Sequence, residues 1–314
     1  MRLAATAAAA AAALTLILPA PALAEPPRVV VDTLIVESIA AYVGEGAGIA
    51  PHVLMDEAGS SHHGSLRPSD MAALAEADVL IWAGPDMTPW LVPVAEAQAE
   101  SGLVLELLAT EGWTRLPARE EPVFARADDG AGVMADGAKI DPHAWLDPRV
   151  ARAWADAMAG VFAEADPGNA ALYAANAARF AEAAAALEAE VAALVEPLAD
   201  LSFVVAHDAY QYFEHRFGLR PVAAILPAGA HVIGPGRVSA LHDAMIARGV
   251  TCLLADQTTP ADLIGLVAEA TAPRIIEADP EGWRQADAPG RYAATLRTLA
   301  RDLRACASEA PASD

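Results

Sequence analysis

Short apolar runs alternate with amphipathic stretches along the whole chain, and this alternation constrains the fold more than any other feature of the sequence. Amphipathic patterns such as PSDMAALAEA and PGRVSALHDAMIARG separate the apolar runs. Strands that alternate with helices form parallel sheets through βαβ units. We therefore predict an α/β protein of two lobes, each a roughly four-stranded parallel sheet flanked by helices. The eight strand-like runs are RVVVDTLIV, HVLMDE, DVLIWAG and LVLEL in the first half, and SFVVAHD, PVAAIL, TCLLADQ and PRIIEAD in the second.

A long, uninterrupted helical pattern separates the two halves. Asp166 and Pro167 mark a helix start, and the next proline is Pro197. About thirty residues of helix extend roughly 45 Å, which is more than crossing one sheet requires. We therefore predict one backbone helix over residues 166–198, joining an N-terminal lobe (25–165) to a C-terminal lobe (199–314).

The first 24 residues have the layout of a secretory signal peptide. Arg2 precedes an alanine-rich apolar core, and the segment from Ala22 to Ala24 is an A-x-A cleavage site. The core is too short to serve as a bilayer-spanning helix. We expect the mature chain to begin near Glu25 and to work outside the cytoplasm.

Charge and cysteine content narrow the classes of partner and the compartment. Lys and Arg number 20 against 42 Asp and Glu, which gives a formal net charge of −22. Such a charge argues against nucleic acid or an anionic membrane as partner, and it suits an exported protein that gathers cations. The two cysteines are Cys252 and Cys306. In an oxidising compartment this pair predicts a disulfide that fastens the last helix to a strand.

Three histidines and one aspartate lie where ligands are bound in such folds. His62, in AGSSHHGSLRPSD, follows the second strand, and His143, in DPHAWLDP, directly precedes a helix. His207 ends SFVVAHD, and Asp279 ends PRIIEAD. Open α/β sheets bind ligands in the crevice outside the carboxyl ends of their strands. Three imidazoles and a carboxylate make a tetrahedral site that suits Zn²⁺, so the sequence predicts a zinc site between the lobes.

Several sequence blocks resemble a known family. SLRPSD, ADVLIWAGPDM, PHAWLDPRVARA and FVVAHDAYQYFEHRFGL are similar to the ZnuA-like zinc-binding receptors of bacterial ABC importers, part of the wider TroA-like group. The resemblance runs from about residue 28 to residue 306. It implies a monomeric periplasmic receptor with two α/β lobes joined by one long helix. Such a receptor binds Zn²⁺ between its lobes and delivers it to a membrane permease.

The resemblance carries the family's ligands onto particular residues of this chain. The histidine before the SLRPSD element falls on His62, that of HxWLxP on His143, and that of HDAY on His207. The fourth ligand varies in the family among a late aspartate, water, and a glutamate just before the first histidine. That glutamate position is Ser61 here, which favours Asp279.

Other residues are weaker candidates for the site. Asp256, at another strand end, is a substitute for Asp279, and His63 is an alternate to its neighbour His62. His231, in a Gly/Pro-rich loop, is a candidate for the rim of the cleft. Asp208 is expected to support His207 or to cap the following helix.

Residues 116–142 lack helix or strand periodicity, and we interpret them as a mobile flap over the cleft. Many zinc receptors of the group carry a His-rich loop here, whereas this flap is acidic and has no histidine. Its residues Asp128, Asp129 and Asp136 are candidates for weak cation binding.

Two functions fit these residues. The first is a zinc-binding receptor without catalytic activity, loaded either directly or by a periplasmic metallochaperone. The second is a zinc-dependent hydrolase or lyase, in which three histidines and a water generate hydroxide. A carboxylate in the fourth position would close the site and remove that water, so the assignment of Asp279 favours the receptor.

Overall fold

Two four-stranded parallel sheets, each flanked by helices, form the frame of the computed structural model. The structure describes residues 25–55, 62, 64–124, 137–227, 233–285 and 287–308. The predicted signal peptide, residues 1–24, lies outside them. A strand lies within each of the eight predicted runs, which confirms the fold class. The strands are β1 (Val29–Val31), β2 (His52–Val53), β3 (Val79–Trp82), β4 (Leu103–Glu106), β5 (Phe203–His207), β6 (Ala223–Leu226), β7 (Cys252–Ala255) and β8 (Arg274–Glu277).

Helices connect consecutive strands and cover the sheets. Short 3₁₀ turns precede or extend several of them, including Ala144–Leu146 ahead of α4 and Pro167–Asn169 ahead of α5. The α-helices are α1 (Leu34–Val43), α2 (Pro68–Ala75), α3 (Val92–Gln98), α4 (Pro148–Ala165), α5 (Ala170–Val195), α6 (Gln211–Phe217), α7 (Pro235–Arg248), α8 (Ala261–Ala268) and α9 (Arg291–Ser308).

The two sheets have the same strand order. The first is ordered β2-β1-β3-β4 and the second β6-β5-β7-β8, with every neighbouring pair parallel. In each sheet, the strand that comes first in the chain lies between the second and the third. The connections that leave β5 and β7 therefore run to opposite sides of the second sheet. Such a reversal opens a crevice at the carboxyl ends of the strands, where α/β sheets bind ligands. His207 ends β5 and lies at this crevice.

The first strand is shorter than its apolar run. RVVVDTLIV predicts extended chain to residue 36, but β1 ends at Val31 and α1 begins at Leu34. The Thr33 hydroxyl accepts a hydrogen bond from the Val36 backbone N–H at 3.3 Å and caps the helix. The cap and the burial of one face of α1 override the β preference of the branched residues.

A long helix joins the two halves, as predicted. Helix α5 and its flanking 3₁₀ turns extend from Pro167 to Leu198. Its buried side chains, Tyr173, Phe180 and Leu187 among them, recur every seven residues and form one apolar stripe. This stripe belongs to a cluster of buried apolar residues that includes side chains of both sheets and of α4 and α9. The lobe limits proposed from the sequence, 25–165 and 199–314, stay a prediction.

The C-terminal helix is tied to the second sheet by the predicted disulfide. Cys252 on β7 and Cys306 on α9 are bonded, and both are buried. Helix α9 also packs against α5 and α1, so it contacts elements from both halves of the chain. Among the described residues, none of the helices combines the length and the apolar character needed to cross a membrane.

Candidate metal centre

Three histidines meet at the carboxyl ends of the strands, each positioned by a different element. His207 is the last residue of β5, and His62 lies in the connection from β2 to α2. His143 directly precedes the 3₁₀ turn Ala144–Leu146, which leads into α4. The start of α4 is fixed because the Asp147 carboxylate accepts a hydrogen bond from the Arg149 N–H at 2.8 Å. Local helix starts and strand ends thus place the three imidazoles from distant parts of the chain.

The three imidazoles lie close together and are buried. The ring centroids are 4.9 Å apart for His143 and His207, 5.4 Å for His62 and His143, and 5.6 Å for His62 and His207. One ring nitrogen from each residue lies within 4.8 Å of the other two. Nitrogens around a tetrahedral zinc ion are about 3.3 Å apart, so a small inward movement of the rings would complete three zinc–nitrogen bonds.

An aspartate that the sequence analysis did not single out orients His143. The Asp141 Oδ1 accepts hydrogen bonds from both the backbone N–H and the ring Nδ1 of His143, each at 3.0 Å. The ring Nε2 is buried and has no hydrogen-bond partner among the described residues. With the Gln211 side-chain amide turned so that its nitrogen faces these acceptors, it donates to the other Asp141 oxygen at 2.9 Å and to the Pro117 carbonyl at 3.1 Å. A carboxylate of this kind fixes the tautomer and makes the free nitrogen a better metal ligand. The D-x-H spacing in DPH was the signal available in the sequence.

A buried ion cluster adjoins His207. Asp208 follows His207 and accepts a hydrogen bond from Arg119 Nε at 3.0 Å, and the Arg119 Nη1 donates to Glu214 at 2.7 Å. Burial raises the pKa of the Glu214 carboxyl to about 7, and Arg119 acts in the opposite direction. Burial also raises the pKa of Asp208, again against the effect of Arg119. Through its bond to Arg119, Asp208 ties the chain beside His207 to the flap. It does not cap α6, which begins after Tyr210 without a side-chain cap.

Asp279 lines a pocket with His207 but does not belong to the group of three histidines. Asp256 also lines this small pocket. The two carboxylate oxygens of Asp279 accept hydrogen bonds from the backbone N–H groups of Trp283 at 3.0 Å and Arg284 at 2.7 Å. Among the described residues, the cluster of metal-binding atoms within 4.8 Å contains the three histidines and not Asp279.

The remaining candidates separate into those with other partners and those outside the described residues. Asp256 Oδ1 accepts hydrogen bonds from the backbone N–H and hydroxyl groups of Thr258 and Thr259. His63 and His231 lie outside the described residues, as do Ser61, Asp128, Asp129 and Asp136.

The N-terminal end of the flap is packed against the second half of the protein, and its C-terminal end contacts both the N-terminal end and Asp86 of the first half. Pro117 and Ile140 form an antiparallel bridge within the flap, and Val123 forms another with Ala223 at the edge of the second sheet. The Leu116 N–H donates to the Tyr212 hydroxyl at 2.9 Å. The prediction of a mobile flap therefore does not describe these ends, which are held by hydrogen bonds. Residues 125–136 lie outside the described part of the chain.

Comparisons with known proteins identify the family of this chain. The family described as "Zinc-uptake complex component A periplasmic" matches residues 29–306. The high-affinity zinc uptake system protein ZnuA of Paracoccus denitrificans is 36% identical over 311 residues, covering 91% of this chain and 93% of the relative. ZnuA of Brucella suis is 33% identical over 307 residues, covering 90% and 92%.

Solved structures share the fold. A crystal structure of ZnuA matches with a TM-score of 0.73 at 20% identity, covering 90% of this chain and 98% of the other. The periplasmic zinc-binding protein TroA of Treponema pallidum matches with a TM-score of 0.75 at 17% identity, covering 90% and 99%. At these identities the likeness establishes the two-lobed architecture and says nothing further about ligands.

Proposed function

This chain belongs to the ZnuA family of periplasmic zinc-uptake components, and we propose that it is the zinc-binding receptor of an ABC importer. Zinc is its cargo, which it binds in the periplasm and passes to the membrane permease. The family matches nearly the whole mature chain, so the proposal concerns the complete two-lobed receptor and not one lobe.

The observation that carries the proposal is the group of three buried histidines. One ring nitrogen from each histidine lies within 4.8 Å of the other two, at the carboxyl ends of the strands. Neutral imidazoles are good zinc ligands and poor ligands for Mg²⁺ or Ca²⁺, which prefer oxygen. We assign His62, His143 and His207 as the zinc ligands, with Asp141 as the hydrogen-bond acceptor that orients His143.

We assign Asp279 as the fourth ligand. The two backbone N–H groups that contact its carboxylate leave lone pairs on both oxygens, because each oxygen can accept more than one bond. Its place in the cavity beside His207 supports this assignment. A four-coordinate site of three histidines and a carboxylate holds zinc without an open position for an activated water.

We further propose that this receptor has no catalytic activity and that it works as a monomer. Catalytic zinc sites keep one position for water, which the Asp279 carboxylate would fill. Ester and anhydride hydrolysis by the zinc-loaded protein tests this point, because turnover that is lost in His207→Ala would identify an enzyme. Light scattering of the mature protein, with and without zinc, tests the monomer.

Metal stoichiometry and selectivity test the proposed function. The metal-stripped mature protein is dialysed against Zn²⁺, Mn²⁺ or Mg²⁺, and bound metal is measured by mass spectrometry. We expect one zinc ion per chain, retained in competition with a large excess of Mg²⁺. A protein that binds no zinc, or that binds several ions weakly through its acidic surface, would contradict the proposal.

A further inference from the structure

The segment 116–124, which we call the strap, follows the first sheet in sequence but lies against the second. The Phe124 N–H donates to the Val222 carbonyl at 2.9 Å, and the Ala224 N–H donates to the Pro122 carbonyl at 3.2 Å. These bonds attach the strap to the β6 edge of the second sheet. The chain therefore reaches the second sheet before it returns to His143 and α4.

Arg119 is the charged anchor of the strap. Its guanidinium contacts two buried carboxylates, Asp208 and Glu214, through Nε, Nη1 and Nη2. The guanidinium carbon also lies 3.7 Å from the centre of the Phe124 ring. A planar guanidinium can bond two carboxylates and stack on an aromatic ring at once, whereas a lysine ammonium cannot reproduce that fork.

The strap contacts residues that support two of the proposed ligands, His207 and His143. Through Arg119 it holds Asp208, the residue next to His207. Through the Pro117 carbonyl it accepts a hydrogen bond from Gln211, whose amide also donates to Asp141. The two routes meet on α6, which carries both Gln211 and Glu214.

We propose that Arg119 is a positioning residue for zinc binding, one that holds His207 at its 4.9 Å ring separation from His143 by fixing Asp208 and α6. This inference rests on the proposed function. Without the guanidinium, Asp208 and Glu214 lose the charged partner that both of them contact, and the two buried carboxylates are no longer held in place. Movement of Asp208 displaces His207, because the two residues are adjacent in the chain.

The test compares Arg119→Lys and Arg119→Met with a matched control, Arg237→Met. Arg237 also contacts the strap, donating to the Glu120 carbonyl at 3.0 Å, and it bonds the Ile225 carbonyl at 2.9 Å. It forms no hydrogen bond to Asp208 or Glu214 among those the structure shows for the described residues. The control therefore loosens the strap while it leaves the hydrogen bonds of Arg119 to Asp208 and Glu214 in place. Because Arg237 also attracts the Asp208 carboxylate through space, the comparison separates the bonded contact from the mere loss of a positive charge.

Three readouts are taken on variants whose circular dichroism shows a folded chain: zinc Kd by chelator competition, the zinc dissociation rate, and the visible absorption of the Co²⁺ form. We expect both Arg119 variants to raise the zinc Kd by about 10- to 100-fold, as loss of a residue that orients metal ligands does. The Co²⁺ bands should shift or weaken, because they report the geometry of the ligands. Arg237→Met should leave the Kd within about threefold of the unmodified protein.

Unchanged zinc Kd and Co²⁺ spectrum in Arg119→Lys and Arg119→Met would overturn the inference, as would an equal loss in Arg237→Met. If neither Arg119 variant folds, Asp208→Asn applies the same test from the carboxylate side, with the same expected loss and the same contradicting result. Failure of the unmodified protein to bind zinc would instead refute the proposed function, so the two outcomes are distinct.

Discussion

Replacing Asp141 by asparagine isolates the contribution of one carboxylate to zinc binding. The substitution Asp141→Asn keeps the shape of the side chain and an oxygen that can accept from His143, but it removes the negative charge. The Gln211 amide can turn over to offer its oxygen to the new amide group. The change therefore converts the charge-assisted 3.0 Å bond between His143 Nδ1 and Asp141 into a neutral one.

The expected loss follows from that conversion. Hydrogen bonds to charged groups contribute roughly 1.5–3 kcal/mol and neutral ones about 1 kcal/mol, so the bond weakens by about 1.3 kcal/mol at the midpoint of these values. That difference corresponds to about a tenfold higher zinc Kd, at the lower end of the range for residues that orient metal ligands. Chelator competition at pH 7.5 measures it.

Asp86→Asn is the matched control for this experiment. The Asp86 carboxylate accepts a hydrogen bond from the Ile140 N–H at 2.9 Å, one residue from Asp141, and has no hydrogen bond to a histidine among those the structure shows for the described residues. We expect this variant to bind zinc with the affinity of the unmodified protein. Equal Kd values for Asp141→Asn and the unmodified protein would refute the reasoning that Asp141 tunes His143 as a ligand.

Three further predictions concern the disulfide and pH. Replacing Cys252 and Cys306 together by serine should lower the free energy of unfolding in urea by about 4 kcal/mol, since the bond closes a loop of 54 residues; an unchanged midpoint would contradict this. Burial raises the pKa of Asp32 to about 7 from its ordinary 3.8, so its contribution favours folding below that ordinary value and is lost as pH rises towards 7. Metal-free protein should therefore lose about 3 kcal/mol from this group between pH 5 and 8, and Asp32→Asn should show a correspondingly flatter profile in urea titrations. Zinc affinity should change in the opposite sense, falling steeply from pH 7.5 to 5.5 because imidazoles must be neutral to bind zinc, and a pH-independent Kd would exclude three histidine ligands.

The sequence predicts those parts of the fold that depend on local patterns. Alternating apolar runs locate the eight strands, and the uninterrupted pattern around Phe180 locates α5. The same alternation predicts that His207 ends a strand. It therefore lies at the carboxyl edge of a parallel sheet, where ligands commonly bind. The limit of β1 is different, since the Thr33 cap decides it against the β preference of the following residues.

The supporting contacts of the site could not be predicted in this way. Arg119 and Asp208 are 89 residues apart, and no periodicity connects them. The flap has no repeating pattern from which its contacts could be predicted. Specific hydrogen bonds hold its ends instead, such as that from the Leu116 N–H to the Tyr212 hydroxyl. Asp141 is the exception, since its position two residues before His143 was a local signal.

Competitive zinc titration of the metal-stripped mature protein, with each proposed ligand replaced by alanine in turn, measures what each of the four residues contributes to zinc binding. We predict one tight site per chain. The zinc Kd should rise by more than about a hundredfold in His62→Ala, His143→Ala and His207→Ala, which is a greater loss than removal of a supporting residue causes. Asp279→Ala should also weaken binding, since we assign its carboxylate to the fourth position. Undiminished affinity in any of the three histidine variants would contradict the site described here, and undiminished affinity in Asp279→Ala would exclude its carboxylate from the fourth position.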